Sequence, residues 1–235
     1  MKRILISHVI VLSLLATWWI FPHFWEKVDL ATFHFCHGFI ETNPFSQRFW
    51  AILSNHRVDW LHDVVFFAFF APYLFIGQDK RKKALSLIIG VIFTGLVIFS
   101  VNKNFFPKVV ACERASPTMV LKDTFRLKNL VSDIRFKDSS HNSYPGDHAT
   151  TAVFFAYFSF YLLGWRRALF CTAYAIFFCM PRLVAGAHWL TDIVMGSVPI
   201  AILSLSYFIG SGSFTFLVNW MDHKLCRKPI KTLLP

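Results

Sequence analysis

Residues 80–106 read KRKKALSLIIGVIFTGLVIFSVNKNFF. Four consecutive cations abut an apolar run from Ala84 to Phe106 that meets no further charge before Lys103. About 20 apolar residues in a helix cross a hydrocarbon core about 30 Å thick. This run therefore predicts a membrane helix, and the cations at its start predict which side that end faces, because cytoplasmic loops retain Lys and Arg.

Working outward, five more segments carry the same signature: Ile4 to Phe21, Trp60 to Ile76, Ala149 to Leu163, Ala168 to Leu183 and Leu190 to Ile209. The first follows Met1-Lys2-Arg3, ends in aromatics and has no small-residue cleavage site behind it, so it is expected to stay as an uncleaved anchor. Gly164-Trp165-Arg166-Arg167 separates the fourth segment from the fifth and predicts a helical hairpin. Residues 22–59 mix aromatics with polar groups and read as an interfacial or partly re-entrant stretch. Composition agrees. In 235 residues 55% are hydrophobic and 16% charged, with 28 Phe and 8 Trp and a mean hydropathy of +0.50; soluble domains hold roughly 25% charged residues. A disordered chain, a secreted disulfide scaffold and a soluble nucleic-acid-binding domain are excluded.

The formal net charge of +11 becomes informative once sorted by side. Lys2-Arg3, Lys80 to Lys83, Arg166-Arg167 and the tail with Lys224, Arg227, Lys228 and Lys231 all fall on one side, opposed only by Asp79 and Asp222. Most of the excess is thus orientation. The expected fold class is all-α: a polytopic membrane protein with six transmembrane helices and both termini cytoplasmic. It is read as one domain over residues 1–235, with an outer loop at 107–147 and a basic cytoplasmic tail at 211–235.

That topology brings three polar clusters to the outer helix ends. They are Arg114-Ala115-Ser116-Pro117 with Lys103 and Lys108 before it, Ser143-Tyr144-Pro145-Gly146-Asp147-His148, and Arg182 with His188 and Asp192. His188 and Asp192 are spaced i, i+4, which on a helix puts them on one face. A carboxylate there fixes the imidazole tautomer and leaves the other ring nitrogen nucleophilic. Arg182 offers forked donors suited to phosphate oxygens, and the start of a helix at His148 favours an anion. A second histidine can protonate a leaving oxygen. Two histidines, a carboxylate and several cations suit phosphoryl transfer, where positioning and charge neutralisation carry most of the catalysis.

The pattern Arg182-x5-His188-x3-Asp192, with Pro145-x-x-His148 upstream and a Lys/Arg cluster before it, resembles the type 2 phosphatidic acid phosphatase superfamily. Arg114 to Thr118, Tyr144 to His148, and Pro181-Arg182 through Gly186 to Asp192 look most like its phosphotransferase branch in the inner membrane of Gram-negative bacteria. That branch moves a phosphate from undecaprenyl diphosphate to the 1-phosphate of lipid A on the periplasmic face. The resemblance implies His188 as nucleophile, Asp192 as its orienting partner and His148 as general acid and later base. It also implies phosphate binding by Arg114, Arg182 and Lys108, with Gly146 and Asp147 lining the pocket. It implies an active site at the periplasmic helix ends, a polyprenyl diphosphate donor and a lipid A acceptor, and neither metal nor cofactor. The chain departs from the superfamily in having Gly146-Asp147 where Ser-Gly is usual. Pro107 stands at the first motif's lysine position, and Ala115-Ser116 separate Arg114 from Pro117.

Two other readings compete. The same site with water as acceptor gives an undecaprenyl-diphosphate or phosphatidylglycerophosphate phosphatase. A channel or transporter subunit would need charges deep within the helices, and the second to fifth segments have none near their centres. His56, Arg57 and Asp59, on the outer side near the second segment, read as a solvated interface or, alternatively, as acceptor-binding residues. Cys36 and Cys112 both map to the outer side, where a disulfide is chemically allowed.

Overall fold

The computed structural model describes residues 2–75, 78–110, 113–122 and 124–226, and among these every regular element is a helix. Helix α1 covers Lys2–Ile20 and α2 covers Pro22–His37, followed by a tight turn at Gly38–Ile40. Next come α3 (Pro44–Leu53), α4 (Asp59–Phe75) and α5 (Lys80–Val97), the last widening into a π-helical coil over Ile98–Val110. The loop beyond holds two single turns, α6 (Pro117–Val120) and α7 (Leu127–Leu130). Helices α8 (Asp147–Leu162) and α9 (Trp165–Val184) form the expected hairpin. A π-helical turn at Asp192–Ser197 leads into α10 (Val198–Gly210), and α11 spans Ser213–Cys226.

Local sequence explains these boundaries. Asn43 caps α3 by accepting from the N–H groups of Phe45 (2.9 Å) and Ser46 (3.3 Å), with Pro44 at the first helical position. Gly164 adopts φ +79°, a conformation open to glycine that breaks α8 from α9.

All six apolar segments are helical over their described residues, and among the described residues four helical stretches are long and apolar enough to cross a membrane: Lys2–Ile20, Lys80–Val109, Trp165–Val184 and Asp192–Gly210. The other two, α4 and α8, have 17 and 16 residues. At 1.5 Å per residue they reach roughly 25 Å. Much of α1 is open, with Leu5, Ile6, Val9 and Leu12 all more than half exposed. The centre is aromatic. Phe66 of α4 stacks on Phe155 of α8 with ring centroids 4.0 Å apart, and Phe178 of α9 closes the group edge-on. Gly90 lets α5 approach α8, since a Cβ there would lie 2.7 Å from the Phe158 ring. Close approach at small residues is how helices associate where lipid removes the hydrophobic drive.

Within the basic tail, residues 213–226 form α11. Its Phe214 is buried against the rings of Phe158, Tyr161 and Phe208, Val218 one turn on is buried too, and its Asp222 pairs with Arg81 at 2.5 Å. The stretch 22–59 is mostly helical, as α2 and α3. One expectation needs correction: His188 does not sit on a helix with Asp192. It lies in the turn after α9, where Gly186 takes φ +70° and reverses the chain. The outer loop is also held down: Leu127, Val131 and Phe136 are buried against Cys36, Ala51 and Val184. Cys112, and the tail cations Arg227, Lys228 and Lys231, lie outside the described residues.

Candidate active site

The start of α4, the start of α8, the end of α9 and the turn after it meet at one end of the bundle. A polar cavity of about 570 Å³ opens there, lined among others by His148, Arg182, His188, Asp147 and Lys137. Both histidines and one of the two expected arginines therefore face one space, although 40 residues separate His148 from His188.

His188 is held from behind. Its ring packs on Gly146, where a Cβ would stand 3.4 Å from Cε1, and its Nδ1 lies 3.5 Å from Asp192 Oδ2. That nitrogen is buried and makes no hydrogen bond. Asp192 is fully buried, and its Oδ2 accepts from the backbone N–H of Trp189 at 2.8 Å, the reach-back of a capping box. Its Oδ1 accepts from Arg114 Nη1 at 2.8 Å.

Arg114 does not line the cavity of the histidines. Its Nη2 donates to Asp29 at 2.6 Å, its Nη1 also donates to Thr191 Oγ1 at 2.6 Å, and the guanidinium lies over the Trp189 ring. Asp29, on α2, is buried and also accepts from the Thr191 N–H at 2.9 Å. The sequence marks Arg114 as a site cation but gives no sign of this carboxylate partner. Arg114 is thus bound between two buried carboxylates, with its forked donors turned away from the cavity.

His148 has a carboxylate of its own. Its Nε2 lies 3.0 Å from Asp59 Oδ2 and 3.0 Å from Arg182 Nη2. With a proton on Nε2 the ring donates to Asp59; without one, the lone pair accepts from Arg182. Arg182 also donates to the Ser54 carbonyl and to Asp59 Oδ1 at 3.4 Å, and only 8% of its side chain is exposed. Asp59, read from sequence as part of a solvated interface, thus touches both His148 and Arg182. Its place on the same outer side as His148 was the available signal.

The remaining expected residues divide. Asp147 lines the cavity and accepts from Asn102 Nδ2 at 3.1 Å, with Lys103 Nζ 3.9 Å away. The Gly146 carbonyl is fixed by hydroxyls of Thr150 and Ser197, each at 2.9 Å. Lys108 is exposed on the π-helical coil, bonded to Asn104 at 2.8 Å, and is not among the cavity's lining residues. The loop supplies cations that no motif in the sequence marks: Arg126, Lys128, Arg135 and Lys137 all line the cavity. Burial lowers the Lys137 ammonium from its ordinary value and Arg182 adds to this, while Asp147 opposes it. Among the described residues no group of three or more His, Cys, Asp and Glu could hold a metal ion.

Beneath the polar cavity lies an apolar one of about 340 Å³, walled by α4, α5 and α8. Its two polar residues nearest the histidines are Asp63 and Thr151, each one helical turn from Asp59 and Asp147 respectively.

Comparison with known proteins supplies a family. The family model of the PAP2 superfamily matches residues 83–214. The chain is similar to lipid A 1-diphosphate synthase of Escherichia coli (strain K12), with 26% identity over 231 residues, covering 96% of this chain and 94% of the relative. No solved structure matches the chain significantly.

Proposed function

Because the chain belongs to the PAP2 superfamily, we propose that it transfers a phosphate from undecaprenyl diphosphate to the 1-phosphate of lipid A through a phosphohistidine. The observation that carries this reading is the meeting of His148, His188 and Arg182 in one polar cavity at a helix-bundle end. The acceptor is taken from the likeness to lipid A 1-diphosphate synthase, which spans nearly both chains.

His188 Nδ1 is turned to Asp192, so Nε2 is the nitrogen that attacks the terminal phosphorus. The 3.5 Å gap to Asp192 closes to a hydrogen bond as the imidazole gains charge, in keeping with apo contacts that tighten only with substrate. The new N–P bond forms as the P–O bond to the bridging oxygen breaks, and His148 gives its proton to the departing lipid monophosphate. An oxygen of the acceptor phosphate then attacks the same phosphorus. The N–P bond breaks, and His148 takes up any proton the acceptor releases. Arg182 neutralises the equatorial oxygens throughout, a role otherwise open to a metal ion. Asp192, held by Arg114, which Asp29 anchors in turn, keeps His188 in register.

The polyprenyl tail lies in the apolar cavity between α4, α5 and α8, whose polar end sits one turn below the catalytic groups. All six apolar helices span the inner membrane in this reading, α4 and α8 being short because their outer ends stop at the cavity. In the same reading both termini are cytoplasmic and the site is periplasmic, which the distribution of basic residues supports, and residues 1–235 act as one domain.

The test uses purified protein, labelled undecaprenyl diphosphate and lipid A. Transfer that needs lipid A, with acid-labile label trapped on the wild-type chain and absent from His188→Ala, is the expected result. Unimpaired labelling of lipid A by His188→Ala overturns the mechanism. Rapid phosphate release with donor alone replaces the acceptor by water.

A further inference from the structure

We propose that the loop segment 126–137 builds a second phosphate subsite in the catalytic cavity, distinct from the position of the phosphate being transferred. The inference rests on the phosphotransferase reading above and specifies how its substrates are held.

Four loop cations, Arg126, Lys128, Arg135 and Lys137, line the cavity shared by His148, His188 and Arg182. Their carboxylate partners are few. Asp138 is buried and takes Arg126 Nη2 at 2.5 Å and the backbone N–H of Lys128 at 3.0 Å. Asp147 takes Asn102 and the more distant Lys103. Among the described residues no carboxylate lies within 4 Å of Arg135, Lys137 or the Lys128 ammonium.

Their direction is set by packing. In an extended segment successive side chains point to opposite faces. Phe136 and Asp138 are buried, so Arg135 and Lys137 emerge on the other face. Phe136 is locked with Leu127 and Val131 against α2, α3 and the end of α9. The cations thus stand on a fixed strip of chain rather than a loose one.

Charge then decides what the strip is for. Arg182 already serves the transferring phosphate, and Arg114 is tied to Asp29 and Asp192. Further unpaired cations in the same space repel one another and Arg182 until an anion enters. A diphosphate donor and a phosphorylated acceptor each bring a second phosphate close to the reacting one, and that group is the matching ligand. It comes either from the donor's lipid-linked phosphate or from the acceptor's own phosphate.

The experiment compares the full-length wild type, Arg135→Gln/Lys137→Gln and Lys137→Arg. Binding of inorganic pyrophosphate and of orthophosphate is measured by calorimetry, and KM is measured for donor and acceptor separately. Each lost charge-assisted contact weakens binding about tenfold or more. The double variant is therefore expected to bind pyrophosphate at least tenfold more weakly while its affinity for orthophosphate moves much less, and Lys137→Arg is expected to keep pyrophosphate binding. A rise confined to the donor KM assigns the subsite to the donor, and one confined to the acceptor KM assigns it to the acceptor. Wild-type pyrophosphate affinity in the double variant overturns the subsite. Equal weakening of both anions overturns it as well, since that is a general loss of charge or fold. Pyrophosphate binding is read without turnover, so failure of lipid A transfer by the wild type counts against the proposed reaction and not against the subsite.

Discussion

Asp59→Asn separates a carboxylate that works through His148 from one that merely fills space. The substitution keeps the side chain's shape and removes its charge. Nε2 of His148 stands 3.0 Å from Asp59 Oδ2. A hydrogen bond to a charged group contributes about 1.5–3 kcal/mol, and at about 1.36 kcal/mol per decade of rate that is a factor of roughly 10–150. Asp59 keeps 26% of its side chain exposed, so solvent screening places the expectation near the lower end, about 10–30-fold in kcat. KM should hold or fall, because Asp59 also sits 3.4 Å from Arg182 and competes with phosphate for it.

The assay is initial-rate transfer from undecaprenyl diphosphate in detergent, run as a double-mutant cycle. His148→Ala alone should cost about 10²–10⁴-fold, the range of general acid–base catalysis. Adding Asp59→Asn to it should cost less than about twofold more, since residues acting as a unit are not additive. If the full Asp59→Asn factor persists without His148, or if Asp59→Asn alone runs at the wild-type rate, Asp59 does not act through His148.

Arg114→Gln leaves Asp29 and Asp192 buried without their common cation. Breaking a buried pair from one side costs about 3–5 kcal/mol, and the loss should appear in thermal unfolding in detergent, with partial recovery when Asp29→Asn removes one stranded charge. Gly95 lines the apolar cavity with nothing within 4 Å of an added Cβ. Gly95→Phe should raise KM for the long polyprenyl donor severalfold and leave a short-chain diphosphate unaffected, as competition between the two donors would reveal. His37 is buried between the Val184 and Phe125 carbonyls, each at 3.1 Å, and burial lowers it below its ordinary value of 6.5. The folded state then favours neutral His37. Its contribution to stability is complete above about pH 6.5 and declines as acidification passes that value towards the lowered one. The wild type should lose stability over that window relative to His37→Gln in paired unfolding curves.

The sequence carried the long helices because apolar length alone marks them. It did not carry α11, whose 14 residues include three charges or histidines in the last five and whose burial rests on Phe214 meeting aromatic rings of α8 and α10. His148, Arg182 and His188 were legible since few roles other than chemistry place such side chains at apolar helix ends. Asp29 and Asp59 were not. In a mixed polar stretch a carboxylate reads as solvent-facing until the fold brings its partner, and here those partners lie 85 and 89 residues away, at Arg114 and His148. Arg114 shows the complementary failure. Its type and place were evident, but which anion it binds is a tertiary fact. The loop cations were hidden by their neighbours, because the alternating acids and bases of 107–147 look like any soluble loop until Phe136 fixes which face is buried.

The two histidines share a plan and differ in its burial, and the difference matches what each must do in the proposed reaction. Each is backed by a carboxylate, and each carboxylate is held by an arginine: Asp192 by Arg114, Asp59 by Arg182. Behind His188 the assembly is closed, with Asp192 fully buried and Arg114 anchored again by Asp29. A nucleophile must present the same nitrogen in every cycle, and buried, fully paired charges resist rearrangement. Behind His148 the assembly is partly open and frustrated, since Asp59 and Arg182 both address the same Nε2 at 3.0 Å. An acid that must become a base needs both protonation states within reach. Asp59 accepts from an Nε2–H and Arg182 donates to the bare lone pair, so the two neighbours between them offer the ring a partner in either form.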